Sequence, residues 1–161
     1  MKKLVFTVGN ELMGDDAAGP LLARRLEGTP LPDWDVLDGG NTPENFVHRI
    51  REMKPERVVL VDTADMELPA GEMRLIDREA IGSLFLMTTH SLPLGFLMDA
   101  IGEFVPQVEL IGIQPQAVAF GYPVSGEVSR AVDAVYSWLQ GGGELTGAAQ
   151  SMDCNSELRA S

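Results

Sequence analysis

The sequence is poor in the residues that would support several common kinds of chemistry. Its single cysteine, Cys154, excludes an intramolecular disulfide, a thiolate zinc site and a redox pair. A domain of this size without disulfides is expected in a reducing compartment, the cytoplasm. Basic residues are scarce, 12 Lys and Arg against 24 Asp and Glu, for a formal net charge of −12. Such a surface repels phosphate backbones, so no nucleic-acid partner is expected, whereas a basic peptide or a metal-carrying partner is tolerated. Long hydrophobic runs are missing too. Leu4 to Val8 follows two lysines but stops at Gly9-Asn10-Glu11, too short for a signal peptide, and no run is long enough to span a membrane. With two histidines there is no histidine-rich tract of a metal carrier. The Gly-x-Ser-x-Gly elbow of serine hydrolases and the His-Glu-x-x-His zinc motif do not occur.

What remains suits one compact α/β domain. Hydrophobic residues make up 45% of 161, enough for a sizeable core. The β-rich run Lys3 to Val8 ends at glycine and predicts an opening strand. Trp34 to Leu37 predicts a second. Arg57 to Val61 is almost wholly apolar, the pattern of a strand covered on both faces. Glu72 to Ile76 is a weaker strand and a candidate edge, and Val108 to Ile113 is another buried one. Between them, apolar residues recur at helical spacing over Ala17 to Leu26, Glu44 to Met53, Leu92 to Phe104 (with Ser91 as N-cap and Pro93 in the first turn) and Glu127 to Leu139. Strand and helix alternate, which predicts a twisted, mostly parallel five-stranded sheet with helices on both faces in residues 1–140. From Gly141 the composition shifts to Gly, Ser and Ala, and residues 141–161 are expected to be a disordered tail.

Ligands of open α/β sheets bind beyond the carboxyl ends of the strands, and acidic residues fall there. Asp15 and Asp16 follow the first strand, and Asp62 follows the third. His90 lies in a loop just before a predicted helix. The loop Gly9 to Gly14 has the glycine spacing of a phosphate loop, but Asp15-Asp16 stand where Lys and Ser or Thr belong, and the three glycines of a dinucleotide fingerprint are missing. Carboxylates there repel phosphate and attract a cation. Two carboxylates and an imidazole make a plausible set of ligands for a divalent transition metal with positions left open. Each residue also has a structural reading. Asp15 or Asp16 could cap the following helix, Asp62 could hold its own turn, and His90 could be a hydrogen-bonded loop histidine beside Thr88, Thr89 and Ser91. Asp38-Gly39-Gly40 could line the same rim or be a plain turn. Asp65 reads as surface loop, His48 as a partly exposed helix residue, and Cys154 as a poor nucleophile without a fixed base. The methionines read as core filler, with Met66 and Met87 near enough to the rim to help seat a partner.

The run Gly9-Asn10-Glu11-Leu12-Met13-Gly14-Asp15-Asp16, closing with Ala18-Gly19-Pro20, resembles the N-terminal signature of the hydrogenase maturation endopeptidases. The resemblance continues through Leu37-Asp38-Gly39-Gly40, Val61-Asp62-Thr63-Ala64-Asp65, Thr88-Thr89-His90 and Gly112-Ile113-Gln114-Pro115, and so spans about residues 3 to 139. Asp16 and the Thr-Thr-His run look most like the branch serving hydrogenase 3 of the formate-hydrogenlyase system; the branch acting on uptake hydrogenases usually has Glu at the first acidic position. The resemblance implies a monomeric aspartate-dependent protease that cuts a short C-terminal peptide from the hydrogenase large-subunit precursor after nickel insertion. It implies that the nickel is supplied by the substrate and used for recognition, with no tightly bound metal of the enzyme's own. Carried over by position, Asp16, Asp62 and His90 would contact nickel and carry the reaction. One departure is Ala17, where the family pattern usually has Gly. If that position opens a helix, alanine is harmless; if it needs an unusual backbone angle, alanine is strained. Two rivals are a metallohydrolase that holds its own zinc or manganese, and a nickel-binding assembly module that cuts nothing.

Overall fold

A computed structural model of the chain describes residues 2–81, 94–144 and 151–153. The elements run β1 (Lys3–Thr7), α1 (Ala18–Gly28), β2 (Trp34–Asp38), α2 (Val47–Met53), β3 (Arg57–Thr63), β4 (Met73–Asp77), α3 (Arg78–Ile81), α4 (Leu94–Gly102), β5 (Gln107–Ile113), α5 (Gly126–Gln140) and β6 (Ser151–Asp153). Single 3-10 turns, Gly14–Ala17 and Pro43–Phe46, lead into α1 and α2.

The strands form one sheet in the order β2-β1-β3-β5-β4-β6. β2, β1, β3 and β5 are parallel, while β4 is antiparallel to β5 and β6 antiparallel to β4. The expected mostly parallel α/β sheet of five strands with helices on both faces is therefore present, and a short sixth strand joins its edge. The sixth comes from the segment expected to be disordered: Ser151–Asp153 pairs with Arg74 to Ile76. The physical reason is that the outer edge of β4 presents unpaired backbone donors and acceptors that an extended segment can satisfy whatever its composition. β4 is thus not the edge strand.

Alternation along the strands explains the two cores. Every residue of β3 is buried. Val59 and Val61 face α1 and α5 together with Val5, Ile111 and Ile113, against Leu22, Leu26, Val128, Val132, Val135 and Leu139. Val58 and Leu60 face the other way with Leu4, Phe6 and Leu110, against Ile50 of α2 and Leu97, Met98 and Ile101 of α4. From β1 the chain crosses to β2 on one side, then back past β1 to β3. Two crossovers of the same hand in opposite directions put α1 and α2 on opposite faces. The reversal also opens a crevice at the carboxyl ends of β1 and β3, the switch point where ligands of such sheets bind.

At the opposite end of the sheet, Arg57 and Glu109 form a buried, bidentate pair on neighbouring strands. Arg57 Nε donates to both Glu109 oxygens at 3.1 and 3.2 Å and an Nη to Oε2 at 2.7 Å. The other Nη donates to the Gly143 carbonyl at 2.7 Å, and the guanidinium lies 5.5 and 5.6 Å from the ring centres of Trp34 and Trp138. The pair ties the strand beginnings to the end of α5.

Candidate functional site

The loop from β1 to α1 is folded tightly over the switch point. Gly9 N–H donates to Gly40 O at 2.9 Å and Val8 N–H to Val61 O at 3.0 Å, which draws the loop toward both neighbouring strands. Gly19 lies so close to β1 that a Cβ there would stand 2.3 Å from the Val8 carbonyl oxygen. Gly14 takes φ +60°, open to glycine at little cost, and a Cβ on it would meet Ala117 O at 2.7 Å. These glycines therefore serve close backbone packing. Ala17 sits at φ −77°, ψ 0°. Alanine occupies that right-handed conformation without strain, so the departure from the family's usual glycine is harmless here.

The two neighbouring aspartates have different fates. Asp16 is buried, 1% exposed, and neither it nor Asp15 caps α1, whose N-cap position is Ala17. The Thr63 hydroxyl donates to Asp16 Oδ1 at 2.9 Å, and the Asn10 backbone N–H donates to Oδ2 at 2.9 Å. Asp16 is thereby pinned to the carboxyl end of β3. Asp15 is turned toward the segment that follows β5. Its Oδ2 accepts from Gln116 N at 2.8 Å, Ala117 N at 3.2 Å and the Ser125 hydroxyl at 2.9 Å, and its Oδ1 from Ser125 N at 2.6 Å. Ser125 is itself the N-cap of α5, accepting from Val128 N. Asp15 is thus a structural anchor and not part of a ligand set.

Asp62 lies inside β3, because the strand runs two residues beyond the apolar run RVVLV. It is fully buried and in register with Gly112 of β5. Asp62 is thus a strand residue rather than a turn residue. Asp62 and Thr63, being consecutive in a strand, point to opposite faces, and Thr63 connects Asp16 to the backbone beside Asp62. His90, with Thr88, Thr89, Met87, Ser91 and Pro93, lies outside the described residues, as does Cys154. Among the described residues, no three acidic, histidine or cysteine side chains gather as a metal cluster.

The remaining candidates are resolved by their contacts. Asp38 is both a turn and a rim residue: its Oδ1 accepts from Gly40 N at 2.9 Å and the Thr7 hydroxyl at 3.2 Å. Asp65 is exposed and accepts from Glu67 N at 3.1 Å. Gln114, to which sequence reasoning gave no role, holds that loop: its Oε1 accepts from Met66 N at 2.7 Å and Leu68 N at 3.3 Å. Met66 packs on the α2/α4 core, over Gly112. His48 is exposed on α2. Thr63 was also missed; the available signal was its place next to Asp62 at a strand end, facing the α1 side.

The family model for hydrogenase maturation protease matches residues 20–140. This chain belongs to that family. It is 45% identical over 141 residues to the hydrogenase 3 maturation protease of Escherichia coli K12, covering 88% of this chain and 90% of that one. The hydrogenase 2 maturation protease of the same strain is 29% identical over 126 residues, so the likeness is greater on the hydrogenase 3 side. The solution structure of the endopeptidase HycI from E. coli superposes with a TM-score of 0.82 at 44% identity, covering 89% of this chain and 92% of that one. A [NiFe] hydrogenase maturation protease HycI from Thermococcus kodakarensis KOD1 superposes with a TM-score of 0.76 at 29% identity, covering 87% and 90%. These likenesses support peptidase activity for the family member described here. No helix among the described residues is long and apolar enough to cross a membrane.

Proposed function

We propose that this protease removes the C-terminal peptide of a nickel-loaded nickel–iron hydrogenase large-subunit precursor, and that nickel already held by the precursor is what it recognises. The observation that supports this best is Asp16, a buried carboxylate fixed at the sheet's switch point by Asn10 and by Thr63, the chain neighbour of the buried Asp62. A carboxylate held by two donors keeps its direction, as a ligand for a metal that arrives on a substrate must. His90 supplies the third ligand in this reading. Metal borne by the precursor then positions the scissile bond against the rim. Water attacks the carbonyl carbon, with a carboxylate as general base or the substrate's metal as Lewis acid. A precursor without nickel forfeits the bonds to Asp16, Asp62 and His90, so cleavage checks that metal insertion is complete.

The deciding measurement is cleavage of purified large-subunit precursor, nickel-loaded and nickel-free, followed by intact mass. Loss of a C-terminal peptide from the loaded form alone is the expected result. Cleavage of both forms would remove nickel from recognition. Failure to cut a verified cognate precursor would leave a binding module in place of a protease. Asp16→Asn and His90→Ala are each expected to abolish processing in a folded protein, and normal cleavage by either would sink the assignment of that residue.

A further inference from the structure

Among the described residues, four large hydrophobic side chains stand well exposed, and three of them lie together: Leu12 at 59%, Phe120 at 76% and Tyr122 at 60%. They sit on the two loops that leave the carboxyl ends of β1 and β5, at the same rim as Asp16. The loops are locked to one another. Gly121 N–H donates to Leu12 O at 2.9 Å, Asp15 N–H donates to Ala117 O at 2.9 Å, and the Asp15 carboxylate gathers its four donors from residues 116, 117 and 125. Gly14 permits the closest approach, since a Cβ there would lie 3.3 Å from Tyr122 Cβ. Met13 O in turn accepts the Asp16 backbone N–H at 3.2 Å, so the apolar surface and the candidate site share one backbone.

The charge pattern points the same way. In a chain with a net charge of −12, every residue from Leu110 to Gly126 is uncharged. Elsewhere the acidic surface discourages any partner that is not basic, whereas this stretch offers contact without charge desolvation. A loop whose backbone is already fixed by part-buried hydrogen bonds has less freedom left to lose on binding, which suits a recognition surface.

We propose that Leu12, Phe120 and Tyr122 form the docking surface for apolar side chains of the large-subunit precursor next to the scissile bond, a reading that rests on the function proposed above. The surface binds the precursor equally before and during the reaction, so its loss raises KM and spares kcat.

The experiment is steady-state cleavage of nickel-loaded precursor over a range of concentrations by the wild type, by the double variant Phe120→Ser/Tyr122→Ser and by Phe120→Leu. The expected result is a KM raised about tenfold or more in the double variant, with kcat within about twofold, and a KM close to wild type for Phe120→Leu, whose apolar area is kept. Should the double variant not fold, Leu12→Ser carries the same comparison from the other loop, with a smaller rise in KM expected. An unchanged KM in a folded variant, beside normal wild-type cleavage, overturns the docking surface and leaves the protease intact. Absence of cleavage by the wild type overturns the function itself and the docking surface with it.

Discussion

Replacing Asp15 by asparagine changes one atom of a side chain and should destabilise the protein far more than that change suggests. The carboxylate accepts four hydrogen bonds, three of them from backbone N–H groups that cannot turn away. Asparagine has one acceptor oxygen and one NH2 group. If its nitrogen takes the place of Oδ2, it meets the N–H groups of Gln116 and Ala117. If it takes the place of Oδ1, it meets the Ser125 N–H, the shortest contact of the set at 2.6 Å. The second orientation is the cheaper and still leaves one part-buried donor facing a donor, at about 1–3 kcal/mol. The other bonds become neutral and roughly half as strong. Against this, a neutral amide is easier to bury than a carboxylate. The net expectation is a loss of about 2–4 kcal/mol, which for a chain of this length lowers the melting temperature by roughly 5–12 °C. Asp38→Asn is the control, since Asp38 is exposed and accepts both of its hydrogen bonds on one oxygen, which the amide oxygen can replace. Thermal unfolding followed by circular dichroism reads both. A fall of less than about 2 °C for Asp15→Asn, or equal falls for the two variants, would refute the claim that Asp15 holds the loops together.

Thr63→Val keeps the side chain's shape but removes the donor to Asp16 Oδ1; kcat/KM should drop about tenfold or more, and Thr63→Ser should restore it, as cleavage kinetics will show. Glu109→Gln leaves the buried Arg57 without its counter-charge and should destabilise by about 3–5 kcal/mol in urea unfolding. Because that pair lies at the far end of the strands from Asp16, cleavage per folded molecule should be unchanged. Gly19→Ala drives a methyl into the Val8 carbonyl and should destabilise by about 1–3 kcal/mol. Gly28→Ala meets open space near the end of α1 and should stabilise by about 0.4–1 kcal/mol, so the two alanine substitutions are expected to have opposite signs in the same melt.

Much of this molecule was readable without coordinates. The apolar runs at Arg57 to Val61 and Val108 to Ile113 are strands because only a sheet covered on both faces hides such a run, and the helices announce themselves by their spacing. Charge balance, the single cysteine and the acidic pair in place of a phosphate-loop lysine restricted the chemistry, and the spaced motifs pointed to the family. Burial preference and periodicity are properties of neighbouring residues, so a sequence carries them directly. Hydrogen-bond partners are not. Asp15 and Asp16 are adjacent and chemically identical, and either could have been a cap or a ligand. The fold turned one toward Ser125, 110 residues away, and the other toward Thr63, 47 residues away. The same holds for the antiparallel β4, for the closure of its edge by β6 and for the Arg57–Glu109 pair. Each depends on which distant backbone donors and acceptors come to lie opposite, and that is decided only when the sheet closes.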